Sequence, residues 1–172
     1  MPKALLLVGR PGVGKTTLVR RVVEQISRPA GGFYTRELRE GDRRVGFEIV
    51  TLDGQRATLA HVNINSRHRV SKYAVDVAAL DRVGVPAIRQ AVEQGALVVV
   101  DEIGKMELFS DAFKVAVLDA LDSPSPMLGT ITRGRHPWAD GIKARGDVEL
   151  VEVTLENREA LVDRLVGWLG KG

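Results

Sequence analysis

Two unbroken apolar runs, Ala4-Leu5-Leu6-Leu7-Val8 and Ala96-Leu97-Val98-Val99-Val100, predict strands buried on both faces, as in a parallel sheet. Met127 to Thr132 and Val148 to Val153 predict two further strands. Leu18, Val19, Val22, Val23 and Ile26 recur at helical spacing and predict a helix over Lys15 to Ile26, broken by Ser27 to Gly32. Phe33 to Leu38, Val45 to Leu52 and Arg56 to Val62 read as a hairpin or meander, with turns at Glu40-Gly41-Asp42 and Asp53-Gly54. Asn63 to Lys72 reads as a polar loop, and so does Arg133 to Trp138. Further helices are expected over Pro86 to Gln94, from Ser110 to about Leu121, and after Asn157, where Leu161, Leu165 and Trp168 share a face. Strands alternating with helices predict one α/β domain over residues 1–172, with a mostly parallel sheet, added antiparallel strands and helices on both faces.

Composition changes this picture little. The 172 residues are 44% hydrophobic and 27% charged, as expected of a chain with a real core. A net charge of +3 favours anionic ligands; it leaves nucleic acid possible but not indicated. The absence of cysteine removes disulfides, thiolate metal sites and cysteine nucleophiles. No stretch has the length of a membrane span or the form of a signal peptide, so a cytoplasmic monomer without membrane contact is expected.

The chemistry starts where the first strand ends. Gly9-Arg10-Pro11-Gly12-Val13-Gly14-Lys15-Thr16 fits G-x-x-x-x-G-K-[ST] at every fixed position, with Thr17 next. Backbone N–H groups reach a triphosphate only where side chains are absent, so glycines line the loop, and the following helix adds the positive end of its dipole. Lys15 is expected at the β- and γ-phosphates, and the Thr16 hydroxyl on Mg2+. The partner feature is an apolar strand ending in carboxylates, Val98-Val99-Val100-Asp101-Glu102. Asp101 is expected to hold Mg2+ opposite Thr16. Glu102, pointing the other way as the next strand residue, is expected to accept the proton of an attacking water.

Arg36, Arg67, Arg69, Lys72, Arg133 and Arg135 are candidates for a cation that stabilises the transferred phosphoryl group. Trp138 is a candidate to stack on a base, though a half-packed loop aromatic is the plainer reading. His61, His68 and His136 lack metal-ligand spacing, and Trp168 belongs to the core.

Four segments together resemble one family: the phosphate loop, Gly31-Gly32-Phe33-Tyr34-Thr35-Arg36-Glu37, Lys72-Tyr73-Ala74-Val75-Asp76, and Val100-Asp101-Glu102-Ile103-Gly104-Lys105-Met106-Glu107-Leu108. It is the small P-loop nucleoside-triphosphatase family of thermophilic bacteria and archaea, related to the human cancer-related nucleoside-triphosphatase. The resemblance runs from the first strand to the last helix. It implies a RecA-like P-loop fold and Mg2+-dependent hydrolysis of ATP, GTP, CTP and UTP to diphosphate and phosphate, with broad base acceptance and slow turnover. Nucleotide contacts then fall on Gly9 to Thr17 and on Val98, Val99, Val100, Asp101, Glu102, Ile103, Gly104 and Lys105, with Lys15 and Glu102 catalytic. Two alternatives share the same motifs: a kinase for a nucleotide or polynucleotide acceptor, and a nucleotide-controlled switch.

Overall fold

The computed structural model describes residues 2–170, and among these nine strands form one sheet in the order β5-β6-β4-β3-β2-β7-β8-β1-β9. β1 (Ala4–Val8) pairs in parallel with both β8 (Met127–Ile131) and β9 (Val148–Glu152). β7 (Leu97–Ile103) lies parallel to β8 on one side and to β2 (Ala30–Glu40) on the other. β3 (Arg43–Thr51), β4 (Arg56–His61), β6 (Tyr73–Val75) and β5 (Arg69–Val70) then extend the sheet antiparallel beyond β2.

The unbroken apolar runs are explained by burial on both faces. Leu5 and Leu7 of β1, with Leu97 and Val99 of β7, pack against α1 (Lys15–Gln25) and α6 (Arg158–Leu169). Leu6, Val98 and Val100 point the other way, toward α3 (Val85–Glu93), α4 (Asp111–Asp122) and α5 (Pro137–Lys143). The alternation of side chains along a strand thus feeds two separate cores, one under each helical layer.

Several expectations change. Ala30, Gly31 and Gly32 are strand residues rather than a break: they open β2 and pair with Leu97, Val98 and Val99. Gly32 is required there, because its φ is +109° and a Cβ would stand 2.0 Å from the Val99 carbonyl oxygen. The polar segment expected to be a loop holds β5, where Arg69 pairs with Ala74 and Val70 with Tyr73; two residues are too short for a periodicity to register.

The helix expected over Pro86 to Gln94 is present as α3, with Pro86 in its first turn, and two unexpected elements lead into it. Asp76 caps α2 (Val77–Ala79), accepting from the Ala79 N–H at 3.1 Å. A wide π turn, Leu80–Gly84, follows, with the Val85 N–H on the Leu80 carbonyl, and α3 continues from it. Such a turn accommodates Pro86, which has no N–H to offer the ladder. The loop expected after β8 ends early, because Pro137 opens α5 and the His136 Nδ1 accepts from the Trp138 N–H at 3.2 Å. Asn157 precedes α6 without capping it; its side-chain oxygen accepts from the Thr154 N–H at 2.8 Å.

Ser110 does cap α4 as expected. Its buried hydroxyl accepts from the Phe113 N–H at 3.0 Å and donates to Asp81 in the π turn. Ser110→Ala removes both bonds and should cost about 1–2 kcal/mol, read as a lower urea midpoint at unchanged slope.

Candidate active site

The phosphate loop joins β1 to α1. Gly14, at φ +100°, is the residue before the helix and supplies no side-chain cap, and the first turn carries no acid. The first intrahelical bond is Leu18 N–H to the Gly14 carbonyl at 2.9 Å, so the N–H groups of Lys15, Thr16 and Thr17 have no helical acceptor. An uncapped, uncompensated helix start opening on a glycine loop is built for an anion. The Lys15 Nζ donates to the Gly9 carbonyl at 2.7 Å, which folds the ammonium across the loop.

Opposite the loop, β7 bulges. Val100 pairs with Gly129 and Ile103 with Ile131, so three steps on β7 face two on β8, and Asp101-Glu102 is where the extra residue enters. The bulge overrides the alternation expected for successive strand residues. Asp101 and Glu102 both line one cleft of about 340 Å³, together with Gly12, Lys15, Thr16, Thr35 and Thr130.

Asp101 is 2% exposed. One carboxylate oxygen accepts from the Thr130 hydroxyl at 2.7 Å, while the other is buried with no hydrogen-bond partner. Burial pushes this carboxyl up from its ordinary range, and Thr130, Thr16, Lys15 and the Thr35 backbone pull it down. A buried carboxylate oxygen without a donor, beside a helix-start hydroxyl, fits a hard divalent cation. Among the described residues no group of three His, Cys, Asp or Glu is placed to hold a metal ion, at this cleft or elsewhere. One carboxylate and one hydroxyl suit a cation that takes its remaining ligands from phosphate and water.

Burial and the adjacent negative charge of Asp101 push the Glu102 carboxyl up, and Lys15 opposes them. Glu107 comes in from the next turn, 3% exposed; burial first and Glu102 second raise its carboxyl well above the usual range. The two glutamates meet over Gly104, where a Cβ would lie 2.9 Å from a Glu102 oxygen and 3.0 Å from a Glu107 oxygen. Gly104 is therefore held by side-chain crowding. On the far side of Glu102 lies a second cavity of about 230 Å³, walled by Phe47, Leu59, Val70 and Met106.

Of the six candidate cations, Arg36 lines the cleft, and it is paired with Glu48. Arg69 donates to the Lys72 carbonyl at 3.1 Å, Lys72 sits over the Tyr73 ring, and Arg133 pairs with Glu152 at 3.8 Å. Arg67 and Arg135 are exposed. Arg44, not singled out from the sequence, also lines the cleft; it donates to the Tyr73 hydroxyl at 2.9 Å and to Glu37 at 3.1 Å. Thr35 and Thr130 were likewise missed. Thr130 had a signal, a lone hydroxyl in an otherwise apolar strand, whereas Thr35 reaches the cleft through the β2–β7 pairing and Arg44 through the β2–β3 pairing. Trp138 is in the first turn of α5, half-buried against the core.

A protein-family model described as NTPase matches residues 4–166. The nucleoside-triphosphatase THEP1 of Thermotoga maritima is 42% identical over 165 residues, covering 96% of this chain and 94% of the relative. The crystal structure of THEP1 from Aquifex aeolicus superposes with a TM-score of 0.87 at 33% identity, over 96% of this chain and 98% of the other. The solution structure of a human cancer-related nucleoside triphosphatase gives 0.84 at 37% identity, over 100% of this chain and 99% of the other.

Proposed function

This chain belongs to the NTPase family and is a nucleoside-triphosphatase, and we propose that it hydrolyses ATP, GTP, CTP and UTP to diphosphate and phosphate with Mg2+ as its metal, as one domain. The observation that carries the metal is the buried Asp101 oxygen without a partner, on the same cleft as Thr16 and Lys15. Thr16 and Asp101 would hold Mg2+, which when bound neutralises charge on the phosphate oxygens. The loop from Gly9 to Thr17 wraps the phosphate chain, binding it through free backbone N–H groups such as those of Lys15, Thr16 and Thr17, and the Lys15 ammonium moves from the Gly9 carbonyl to the β- and γ-phosphates. Glu102 orients a water and takes its proton as the water oxygen bonds to the γ-phosphorus. The bond between that phosphorus and the bridging oxygen breaks, and the diphosphate leaves with the electron pair.

Slow turnover is supported by the cations of the cleft. Arg36 is tied to Glu48, and Arg44 to Glu37 and Tyr73, so neither has its full charge free for the transition state. The resemblance also assigns Val98, Val99, Val100, Ile103, Gly104 and Lys105 to nucleotide contact. Val98 to Val100 and Ile103 are buried strand residues that position the acids, and Lys105 lines the cavity beyond Glu102.

Phosphate release from the four triphosphates tests this reading. All four should be hydrolysed, EDTA should stop release, and Mg2+ should restore it. Release that persists in EDTA would remove the metal from the reaction. The cavity beyond Glu102 keeps a kinase reading in view, because an organic hydroxyl placed there would face the same carboxylate. Diphosphate formed in excess of phosphate when an alcohol is added would favour that reading. Among the described residues no helix is long and apolar enough to cross a membrane.

A further inference from the structure

Glu107 has no part in hydrolysis, yet it is 3% exposed and its carboxyl meets that of Glu102 over Gly104. A buried carboxyl is costly unless it stays neutral or gains a positive partner. Burial, the Glu102 charge and the backbone N–H groups of Glu107 and Gly104 set its state, and among the described residues no cation pairs with it. Lys105 is exposed, and its Cε lies 3.9 Å from where a Gly134 Cβ would be.

This acid lines the cavity of about 230 Å³ beyond Glu102, whose apolar walls are Phe47 of β3, Leu59 of β4, Val70 of β5 and Met106. Neither β4 nor β5 lends a residue to the phosphate cleft, so these strands serve a different space. Thr35, Phe47 and Glu102 line both the cavity and the cleft, and the two therefore meet at the Glu102 carboxyl. Water gains nothing from four apolar walls, whereas a carbon skeleton does. At about 30 Å³ for each heavy atom, a water molecule's share of the liquid, the space suits a molecule of roughly eight such atoms.

We propose that this cavity binds a second substrate, a small amino alcohol, and that the protein phosphorylates it from a nucleoside triphosphate. The ammonium pairs with Glu107, the carbon skeleton lies against Phe47, Leu59, Val70 and Met106, and the hydroxyl faces Glu102. The assignment rests on the hydrolase reading, which puts the γ-phosphate within reach of Glu102. Carboxyl oxygens of Glu102 and Glu107 come within 2.9 and 3.0 Å of one point, the Cβ position of Gly104, so hydroxyl and ammonium belong on neighbouring carbons. The Glu102 carboxylate takes the hydroxyl proton as the hydroxyl oxygen bonds to the γ-phosphorus. The bond from phosphorus to the bridging oxygen breaks, the diphosphate leaves with the electron pair, and the product is a phosphate monoester. Water competes for the same carboxylate, so hydrolysis is the reaction left when the cavity lacks its alcohol.

Leucinol, a 1,2-amino alcohol with a branched apolar chain, is the probe. With Mg-ATP the wild type should form its phosphate ester, and phosphorus NMR counts ester and free phosphate in one sample. The skeleton without the ammonium, 4-methylpentan-1-ol, should give less ester by about tenfold or more, the scale of a lost buried charge pair. Glu107→Gln should lower the ester-to-phosphate ratio for leucinol by a similar factor and leave that for 4-methylpentan-1-ol unmoved. The ratio cancels any general loss of ATP turnover in the variant, and the comparison of the two alcohols needs no variant at all. Equal ester from both alcohols in the wild type would remove Glu107 from recognition and overturn the assignment. Phosphate without ester would overturn the acceptor site and leave the hydrolase reading intact, whereas ester without phosphate would do the reverse. Neither product from ATP would remove both.

Discussion

Glu102→Gln should lower kcat for ATP by about 10²–10⁴-fold while leaving the Kd for Mg-ATP within a few-fold of wild type. The amide keeps the volume of the carboxyl and its place on the bulge, but cannot accept a proton. Binding rests on other groups: the free N–H groups at the start of α1, Lys15, and the Asp101–Thr130 pair stay in place. Burial and Asp101 also push the Glu102 carboxyl up, which makes its carboxylate a better proton acceptor than an ordinary surface glutamate. Single-turnover hydrolysis and equilibrium binding on the same preparation check the two halves. A variant with wild-type kcat would show that Glu102 is not the base. A variant that no longer binds would place Glu102 with the metal or the phosphates.

The same substitution should also ease the repulsion between the two acids that meet over Gly104. A neutral side chain there removes one of the charges that raise Glu107, the second-largest cause after burial. A modest gain in stability alongside lost turnover is therefore expected, as when strain at a working site is relieved. Thermal unfolding of the two proteins at neutral pH would show it as a higher Tm in the variant.

The phosphate loop and the acid-tipped strand were legible because each is local: a fixed spacing of glycines in one case, an apolar run ended by charge in the other. The parallel core was legible for the same reason, since Leu5, Leu6 and Leu7 can be apolar in succession only if both faces are covered. What the sequence hid depends on pairing at a distance. The bulge that turns Asp101 and Glu102 into one cleft exists only in register with β8, and no residue of β7 announces it. Arg44 reaches the site because β3 folds back on β2, and the Arg158 guanidinium reaches the Val13 carbonyl of the phosphate loop because α6 packs against α1. Gly31-Gly32 misled in the opposite sense. Two glycines signal a turn by composition, yet here they allow β2 to approach the β7 backbone. Pro86 marked the first turn of α3 correctly, and what it concealed is the π turn that leads into that helix.

Lys15→Ala should weaken ATP binding by about 30-fold or more and reduce turnover to background. Two effects add. The first is the lost charge-assisted contact to the β- and γ-phosphates, for which the Gly9 carbonyl now holds the ammonium in waiting at 2.7 Å. The second is electrostatic. Lys15 opposes the rise of both the Asp101 and Glu102 carboxyls, so without it two acids in one cleft face the incoming phosphates with less positive charge between them. The loss should therefore be steeper for ATP than for ADP, whose shorter chain carries less charge toward the acids. Isothermal titration with both nucleotides separates this from damage to the fold, since a misfolded loop would lose them equally. Unchanged ATP affinity would mean that the backbone N–H groups bind the chain alone and that the ammonium enters only in the transition state. Retained turnover would remove Lys15 from the chemistry altogether.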